Sequence, residues 1–225
     1  MFSEDKTAIM TPDTAWAVPY IIDLHNLAID AVAAFVVSAL LAVMVNAEGQ
    51  AFMAAFLGDS RVGAKDRFHF NAFLHLDVLG GICYLIGGFG WPRPIGIDRS
   101  KFTHPCLYMV IARLGGPLAN LLLAGIAGSI VSIMKSLTWD PRVFLMVVGV
   151  NITTAIYNLI PIPPLALGSL VSELVPQDRA KAILVQVGPF LIVALALLER
   201  ITHQGIVSPY LDPLVKTVFG FFKGM

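Results

Sequence analysis

The stretch that decides the fold class is LAIDAVAAFVVSALLAVMVNAEGQAFMAAFL, residues 27–57. A helix that crosses the hydrocarbon of a bilayer needs about 20 apolar residues, and this run exceeds that length. Three further apolar runs follow, at residues 107–134, 143–160 and 182–198. The sequence therefore predicts about four transmembrane helices.

Composition supports a membrane protein over a soluble one. Of the 225 residues 57% are hydrophobic and only 13% are charged, which is too little polar surface to cover a soluble core of this size. The formal net charge is zero, so nothing favours nucleic acid as a partner. We expect an all-α polytopic protein with an extramembrane segment at 1–26, a membrane core at 27–175, and a transmembrane helix with an amphipathic tail at 176–225.

Two stretches are expected to depart from regular transmembrane helix. Residues 68–97 are apolar but rich in glycine, and the alternation in FHFNAF predicts a re-entrant segment or a short β-hairpin. The PIPP sequence at 161–164 cannot form regular helix. The tail at 206–225 is amphipathic and is predicted to form a helix at the membrane interface.

Polar side chains inside the apolar runs are costly in a bilayer and are candidate functional or structural groups. Asp30 and Arg113 are expected to pair with each other or to reach the interface. Asn120, Asn151 and Asn158 are of the kind that forms hydrogen bonds between helices.

The carboxyl-terminal half of the first run carries a polar group of its own. Asn46 and Gln50 are one helical turn apart and share one face. Glu48 lies about 200° around the helix from Asn46 and is predicted to point away from both, towards lipid. The small residues at 115–119 would let another helix approach closely.

The chain resembles the site-2-protease family of intramembrane zinc metalloproteases, in a compact bacterial form. Asn71, His75, Asp77 and Gly80 match one motif of that family. The resemblance rests on an ordered set of segments: NAEGQAFMAAFLGD (46–59), FHFNAFLHLDVLG (68–80), GGFGWPRPIGID (87–98), GGPLANLLLA (115–124) and YNLIPIPPLALG (157–168).

The same resemblance implies that the catalytic groups are replaced. Asn46 and Gln50 stand at the positions of two zinc-binding histidines, Ala47 at that of the catalytic glutamate, and Ala166 at that of the aspartate ligand. Amide oxygens are poor zinc ligands, and Glu48 is one position late and on the wrong side of the helix. We therefore expect no metal, no cofactor and no catalysis.

The leading functional prediction is a pseudoprotease that serves as a structural or accessory subunit of a larger membrane complex. Its expected partners are other integral membrane proteins and lipids, and its expected location is a bacterial cytoplasmic membrane. Glu48 is predicted to need a partner that covers it. The candidate partner or structural contacts are Glu48, Asn71, His75, Asp77, Asp30, Arg113, Asn120 and Asn158.

Other functions stay open from the sequence. The chain would act as a regulatory binder if it held a transmembrane client without cleaving it, gripping it at 68–73 and 161–164. A metal centre or pigment ligated by His25, His69, His75 or His104 is a further reading. An active metalloprotease is an unfavoured alternative, and no other catalytic motif is present.

Overall fold

The computed structural model describes residues 28–59, 70–175 and 178–223. In these ranges the chain is helical, as predicted, and it contains no strand. The α-helices are α1 (Ile29–Phe56), α2 (Ala72–His75), α3 (Val78–Gly87), α4 (Pro105–Ser136), α5 (Arg142–Tyr157), α6 (Ala166–Leu174), α7 (Asp178–Thr202) and α8 (Ser208–Lys223), with a short 3-10 turn at Arg99–Lys101.

Three of these helices are long and apolar enough to cross a membrane: α1, α4 and α7, with 28, 32 and 25 residues. The prediction of four such helices is therefore too high for the part of the chain that is described. The apolar run at 143–160 forms α5, which has only 16 residues because the chain leaves the helix after Tyr157, before the PIPP sequence. That length is about 24 Å at 1.5 Å per residue, short of the ~30 Å hydrocarbon thickness.

The centre of the fold is the packing of α1, α4 and α5 against one another. The predicted close approach at 115–119 is confirmed. A Cβ atom added to Gly49 of α1 would lie 2.5 Å from both the carbonyl oxygen of Gly115 and the Cβ of Ala119. The two helices thus meet backbone to backbone, which is how small residues allow tight packing in membranes.

The glycine-rich stretch, expected as a re-entrant segment or a short β-hairpin, forms two short helices in its described part. Within its described part, from residue 70 onwards, the nearest approach to a sheet is one isolated antiparallel bridge between Leu76 and Pro92. Gly80 lets the backbone at Trp91 come close, since an added Cβ would lie 2.3 Å from the Trp91 carbonyl oxygen. The segment folds back on itself through this contact, and its helical turns replace the expected strand pairing.

The other predicted irregular element is confirmed. Residues 161–164 leave the helix, and the Pro163–Pro164 peptide bond is cis. After this break α6 begins, and α7 follows with its outer face exposed.

The carboxyl-terminal tail forms α8, as a helix was predicted there. It packs against α5 and α4, and Val215 is fully buried in that contact. The apolar face of the tail is therefore part of the protein core.

Candidate functional site

Two neutral amides lie on the inner face of α1. Asn46 is fully buried and Gln50 is 7% exposed. Gln50 Nε2 donates a hydrogen bond of 2.7 Å to Asn46 Oδ1, so the two side chains lie together as their spacing predicted. Gly116 of α4 faces them closely, because an added Cβ there would lie 2.4 Å from Asn46 Oδ1.

The hydrogen bonding continues from α1 into α4 and α5. Asn46 Nδ2 donates to Asn120 Oδ1 at 2.6 Å. Asn120 Nδ2 in turn donates to Asn151 Oδ1 at 2.8 Å and to the carbonyl oxygen of Ala42 at 2.9 Å. Asn151 Nδ2 completes the series at the Val147 carbonyl oxygen, at 2.9 Å. The prediction that Asn120 and Asn151 join helices is confirmed.

A cation stands at the other end of the series. Arg113 Nη1 donates a 2.8 Å hydrogen bond to Gln50 Oε1, and Nη2 reaches the carbonyl oxygen of Ile95 at 3.4 Å. The expected pairing of Arg113 with Asp30 does not occur. Asp30 lies exposed in the first turn of α1, where its carboxylate accepts the Ala31 N–H at 2.9 Å.

We call Gln50, Asn46, Asn120 and Asn151 the amide chain. Every donor in it points the same way, from Arg113 towards the Val147 carbonyl, so each hydrogen bond polarises the next. In a bilayer such buried polar groups are stable only when they form hydrogen bonds. Here the neutral amides form those hydrogen bonds largely with one another.

The amide chain is a poor zinc site. Its two oxygens nearest the expected metal position, Asn46 Oδ1 and Gln50 Oε1, already accept N–H donors. A dication at Gln50 Oε1 would also stand directly against the Arg113 guanidinium. Ala47 is fully buried and Ala166 is 3% exposed, and neither methyl group can bind a metal or move a proton.

Asn158 holds the segment that contains Ala166. It lies at the end of α5 with 2% exposure, and its Nδ2 donates to the Thr154 carbonyl oxygen at 2.7 Å. Its Oδ1 accepts the Ala166 N–H at 3.2 Å, and its backbone oxygen accepts the Leu167 N–H at 3.0 Å. Asn158 therefore fixes the start of α6 after the proline break. Its hydrogen bonds join residues that are close in the sequence, between positions 154 and 167.

Glu48 points inward to the protein, so the expectation that it faces lipid is wrong. It is 7% exposed, and its Oε1 lies 3.1 Å from Nε2 of His75. The same oxygen accepts the Phe70 N–H at 3.0 Å. The rotation around α1 was predicted correctly, but the chain near α2 covers that side of the helix. Glu48 and His75 thus form an internal contact between α1 and α2.

Asn71 and Asp77 have capping roles. Asn71 caps α2 by accepting the Phe73 N–H at 3.0 Å. Asp77 caps α3, where its Oδ1 accepts the Gly80 N–H at 2.8 Å and the Trp91 indole N–H at 3.1 Å. These family-like residues shape the backbone of this region.

A pocket of about 200 Å³ opens beside the amide chain. Gln50 and Arg113 form one side of it, and the proline break with α6 and α7 forms the other. Its lining residues are Gln50, Pro92, Pro94, Met109, Arg113, Pro163, Pro164, Ser169, Ser172, Lys181 and Val185. The tertiary structure therefore brings Gln50 and the PIPP segment to one cavity.

A second cavity, of about 430 Å³, lies between α3, α5, α7 and α8. Tyr157 donates a 2.7 Å hydrogen bond there to Asp212 Oδ1. Burial is the main cause that raises the pKa of Asp212 above its usual range. This pair links the end of α5 to the tail helix, and no motif in the sequence pointed to it.

The histidines give little support to a metal or pigment centre. His25 and His69 lie outside the described residues. His75 is held by Glu48, and His104 is exposed at the start of α4 beside the Tyr108 ring. Within the described ranges, no group of three or more His, Cys, Asp or Glu side chains could hold a metal ion.

One curated relative covers most of the chain. The protein named "Putative zinc metalloprotease YwhC", from Bacillus subtilis (strain 168), is 30% identical over 156 residues, which is 65% of this chain and 71% of the relative. The chain belongs to the same family as YwhC. No protein-family model matches the chain, and no solved structure matches it.

Membership of the YwhC family agrees with the metalloprotease resemblance of the motifs. Because YwhC is named as a putative zinc metalloprotease, the question whether the amide chain could bind zinc bears on the function of this chain. Two site features were missed in the sequence: Arg113 as the partner of Gln50, and Lys181 across the pocket from it. Arg113 lies inside one apolar run and Lys181 at the start of another, and for such basic groups snorkelling is the ordinary explanation.

Proposed function

We propose that this chain is a non-catalytic member of the YwhC family that serves as a structural or accessory subunit in a membrane protein complex. The observation that carries the first part is the amide chain. At the positions that the family resemblance assigns to zinc ligands, the chain has amides already engaged with Arg113 and Asn120. We place the protein in a bacterial cytoplasmic membrane on the same resemblance.

The first test is elemental. The full chain is purified in mild detergent without added chelator and analysed for zinc, and its cleavage of a single-span peptide substrate is measured with added zinc. We expect neither stoichiometric zinc nor zinc-dependent cleavage, because the amide chain lacks imidazole and carboxylate ligands. A matched variant, His75→Ala, reports on zinc held by the Glu48–His75 contact instead. One zinc per chain that persists in His75→Ala, or cleavage that zinc restores, would overturn the proposal.

Surface composition supports the accessory role. Large apolar side chains are exposed at the end of α1 and on α2, including Phe52 at 62%, Phe56 at 77% and Phe73 at 73%. Exposed apolar surface of this kind fits either lipid or the helices of a partner. Glu48 is not part of this exposed surface, because it is buried against His75.

The accessory role is tested by site-specific photocrosslinking in native membranes. A crosslinker replaces Phe73, and a control crosslinker replaces Trp139, which is 62% exposed after the end of α4. We expect a discrete adduct with a polytopic membrane protein from position 73 and none from position 139. A monomer without adducts at either position would contradict the accessory role.

A second candidate is a regulatory binder that holds a transmembrane client without cleaving it. The observation that favours it is the pocket between Gln50 and the Pro163–Pro164 segment, which would accept an extended chain. A crosslinker at Asn71, which is exposed, is expected to capture a single-span protein if this function holds. Capture of only polytopic proteins there favours the accessory role.

A further inference from the structure

The pocket beside the amide chain has the electrostatic character of an anion site. Arg113 and Lys181 line it, and none of the described residues that line it is acidic. Two cations that line one small cavity favour an anion as its ligand. This arrangement concerns ligand binding and does not depend on whether the chain cleaves peptides.

Arg113 is the better defined of the two cations. Its hydrogen-bond partners are neutral: Gln50 Oε1 at 2.8 Å and the Ile95 carbonyl oxygen at 3.4 Å. Among the described residues, no carboxylate lies within ion-pair distance of its guanidinium. A guanidinium has further N–H donors in a planar fork, and that fork matches the oxygens of a carboxylate or a phosphate. The charge of Arg113 is thus available to a ligand in the pocket.

Two hydroxyl groups also line the pocket. Ser172 Oγ donates to the Gly168 carbonyl oxygen at 3.1 Å, and Ser169 Oγ donates weakly to the Leu165 carbonyl oxygen at 3.5 Å. Rotation about the Cβ–Oγ bond can redirect either proton to a bound oxygen. Together with the two cations, these hydroxyls suit a ligand that presents several anionic oxygens, such as a phosphate.

The location points to a lipid as the source of that phosphate. Lys181 lies in the first turn of α7, at the end of a candidate membrane span, and Val185 one turn further is 48% exposed. The outer face of α7 continues with Ile183 at 54% and Phe190 at 61% exposure. A headgroup in the pocket would therefore leave its acyl chains against an apolar helix face, and basic pockets between transmembrane helices are known to bind anionic headgroups.

We propose that the pocket lined by Arg113, Lys181, Ser169 and Ser172 binds the phosphate of an anionic glycerophospholipid. Its volume of about 200 Å³ exceeds several times the ~30 Å³ occupied by a water, so it admits a phosphate group. The Arg113 fork and the Lys181 ammonium supply the charge, and the prolines and Val185 supply the apolar part of the lining.

The test uses the full chain in neutral detergent and compares three probes by their effect on its apparent Tm. Dioctanoyl phosphatidylglycerol carries both phosphate and acyl chains, dioctanoylglycerol lacks the phosphate, and inorganic phosphate lacks the chains. We expect a saturable rise in Tm with phosphatidylglycerol only. A rise of the same size with inorganic phosphate supports the phosphate site but assigns it to free phosphate. An equal rise with dioctanoylglycerol would overturn it.

Two matched variants keep the test independent of general surface charge. Lys181→Gln removes a pocket cation, and Arg179→Gln removes an exposed cation from the same helix outside the pocket. We expect Lys181→Gln to weaken phosphatidylglycerol binding by about tenfold or more, the range for one lost charge-assisted hydrogen bond, and Arg179→Gln to leave it unchanged. Equal loss in both variants would overturn the proposal. So would a rise in Tm with a single-span peptide bearing a free carboxylate but not with phosphatidylglycerol.

Discussion

Asn120 is the junction of the amide chain, and its replacement by alanine tests the structural argument most directly. Asn120 makes three hydrogen bonds between helices: it accepts from Asn46 and donates to the Ala42 carbonyl oxygen and to Asn151. The side chain is fully buried, so its removal leaves the three partner groups inside the protein without these hydrogen bonds.

The expected loss follows from the number of bonds. Hydrogen bonds between transmembrane helices contribute about 0.6 kcal/mol each on average, so three amount to about 2 kcal/mol. The cavity left by the amide and the unsatisfied amides of Asn46 and Asn151 add to this, which gives about 2–4 kcal/mol in all. This is large against the roughly 5–15 kcal/mol that stabilises a typical fold.

The assay is the free energy of unfolding of the purified chain in mixed micelles, measured by titration with a denaturing detergent. Ser129→Ala is the matched control on α4, since Ser129 is exposed and bonds only to the Gly125 carbonyl of its own helix. We expect the control to remain within about 0.5 kcal/mol of the wild type. If Asn120→Ala changed the free energy no more than Ser129→Ala does, the amide chain would not be the centre of the fold.

Two further substitutions test contacts that position the site. Gly49→Ala should destabilise the fold by about 1–3 kcal/mol, because the new Cβ would lie 2.5 Å from the Gly115 carbonyl oxygen, whereas Gly220→Ala, where nothing lies within 4 Å, should not. Asp77→Ala should cost about 1–3 kcal/mol by removing the acceptor of the Gly80 and Trp91 N–H groups. Asp77→Asn keeps an acceptor oxygen and should retain most of the stability. All four variants are measured by the same unfolding titration. If Gly49→Ala and Gly220→Ala had equal effects, or Asp77→Ala and Asp77→Asn did, the contact tested by that pair of variants would be contradicted.

Local sequence predicted those parts of the site that depend on helical periodicity. Asn46 and Gln50 share a face because they are one turn apart, and their hydrogen bond of 2.7 Å confirms it. The small residues at 115–119 predicted a close approach of another helix, since only small residues admit it, and the structure identifies that helix as α1.

Predictions that depended on a partner from a distant part of the chain were less successful. Glu48 points away from Asn46, as its rotation predicted, yet it meets His75 because α2 folds over that side of α1. Asp30 and Arg113 were expected to form an ion pair or to reach the interface, but the Arg113 guanidinium instead forms a hydrogen bond with Gln50 of α1. A sequence gives the direction of a side chain on its own helix, and it does not give the element that lies there.

The sequence by itself predicted a helical membrane protein with motifs that resemble those of a zinc metalloprotease family, and the same resemblance implies amides at the zinc-ligand positions. It could do so because hydrophobic length and residue chemistry are local properties. Only the tertiary structure decided that those amides are joined into one satisfied chain from Arg113 to Val147, and that Arg113 and Lys181 share a pocket. Both depend on contacts between residues that are distant in the sequence, which are set by how α1, α4, α5 and α7 pack.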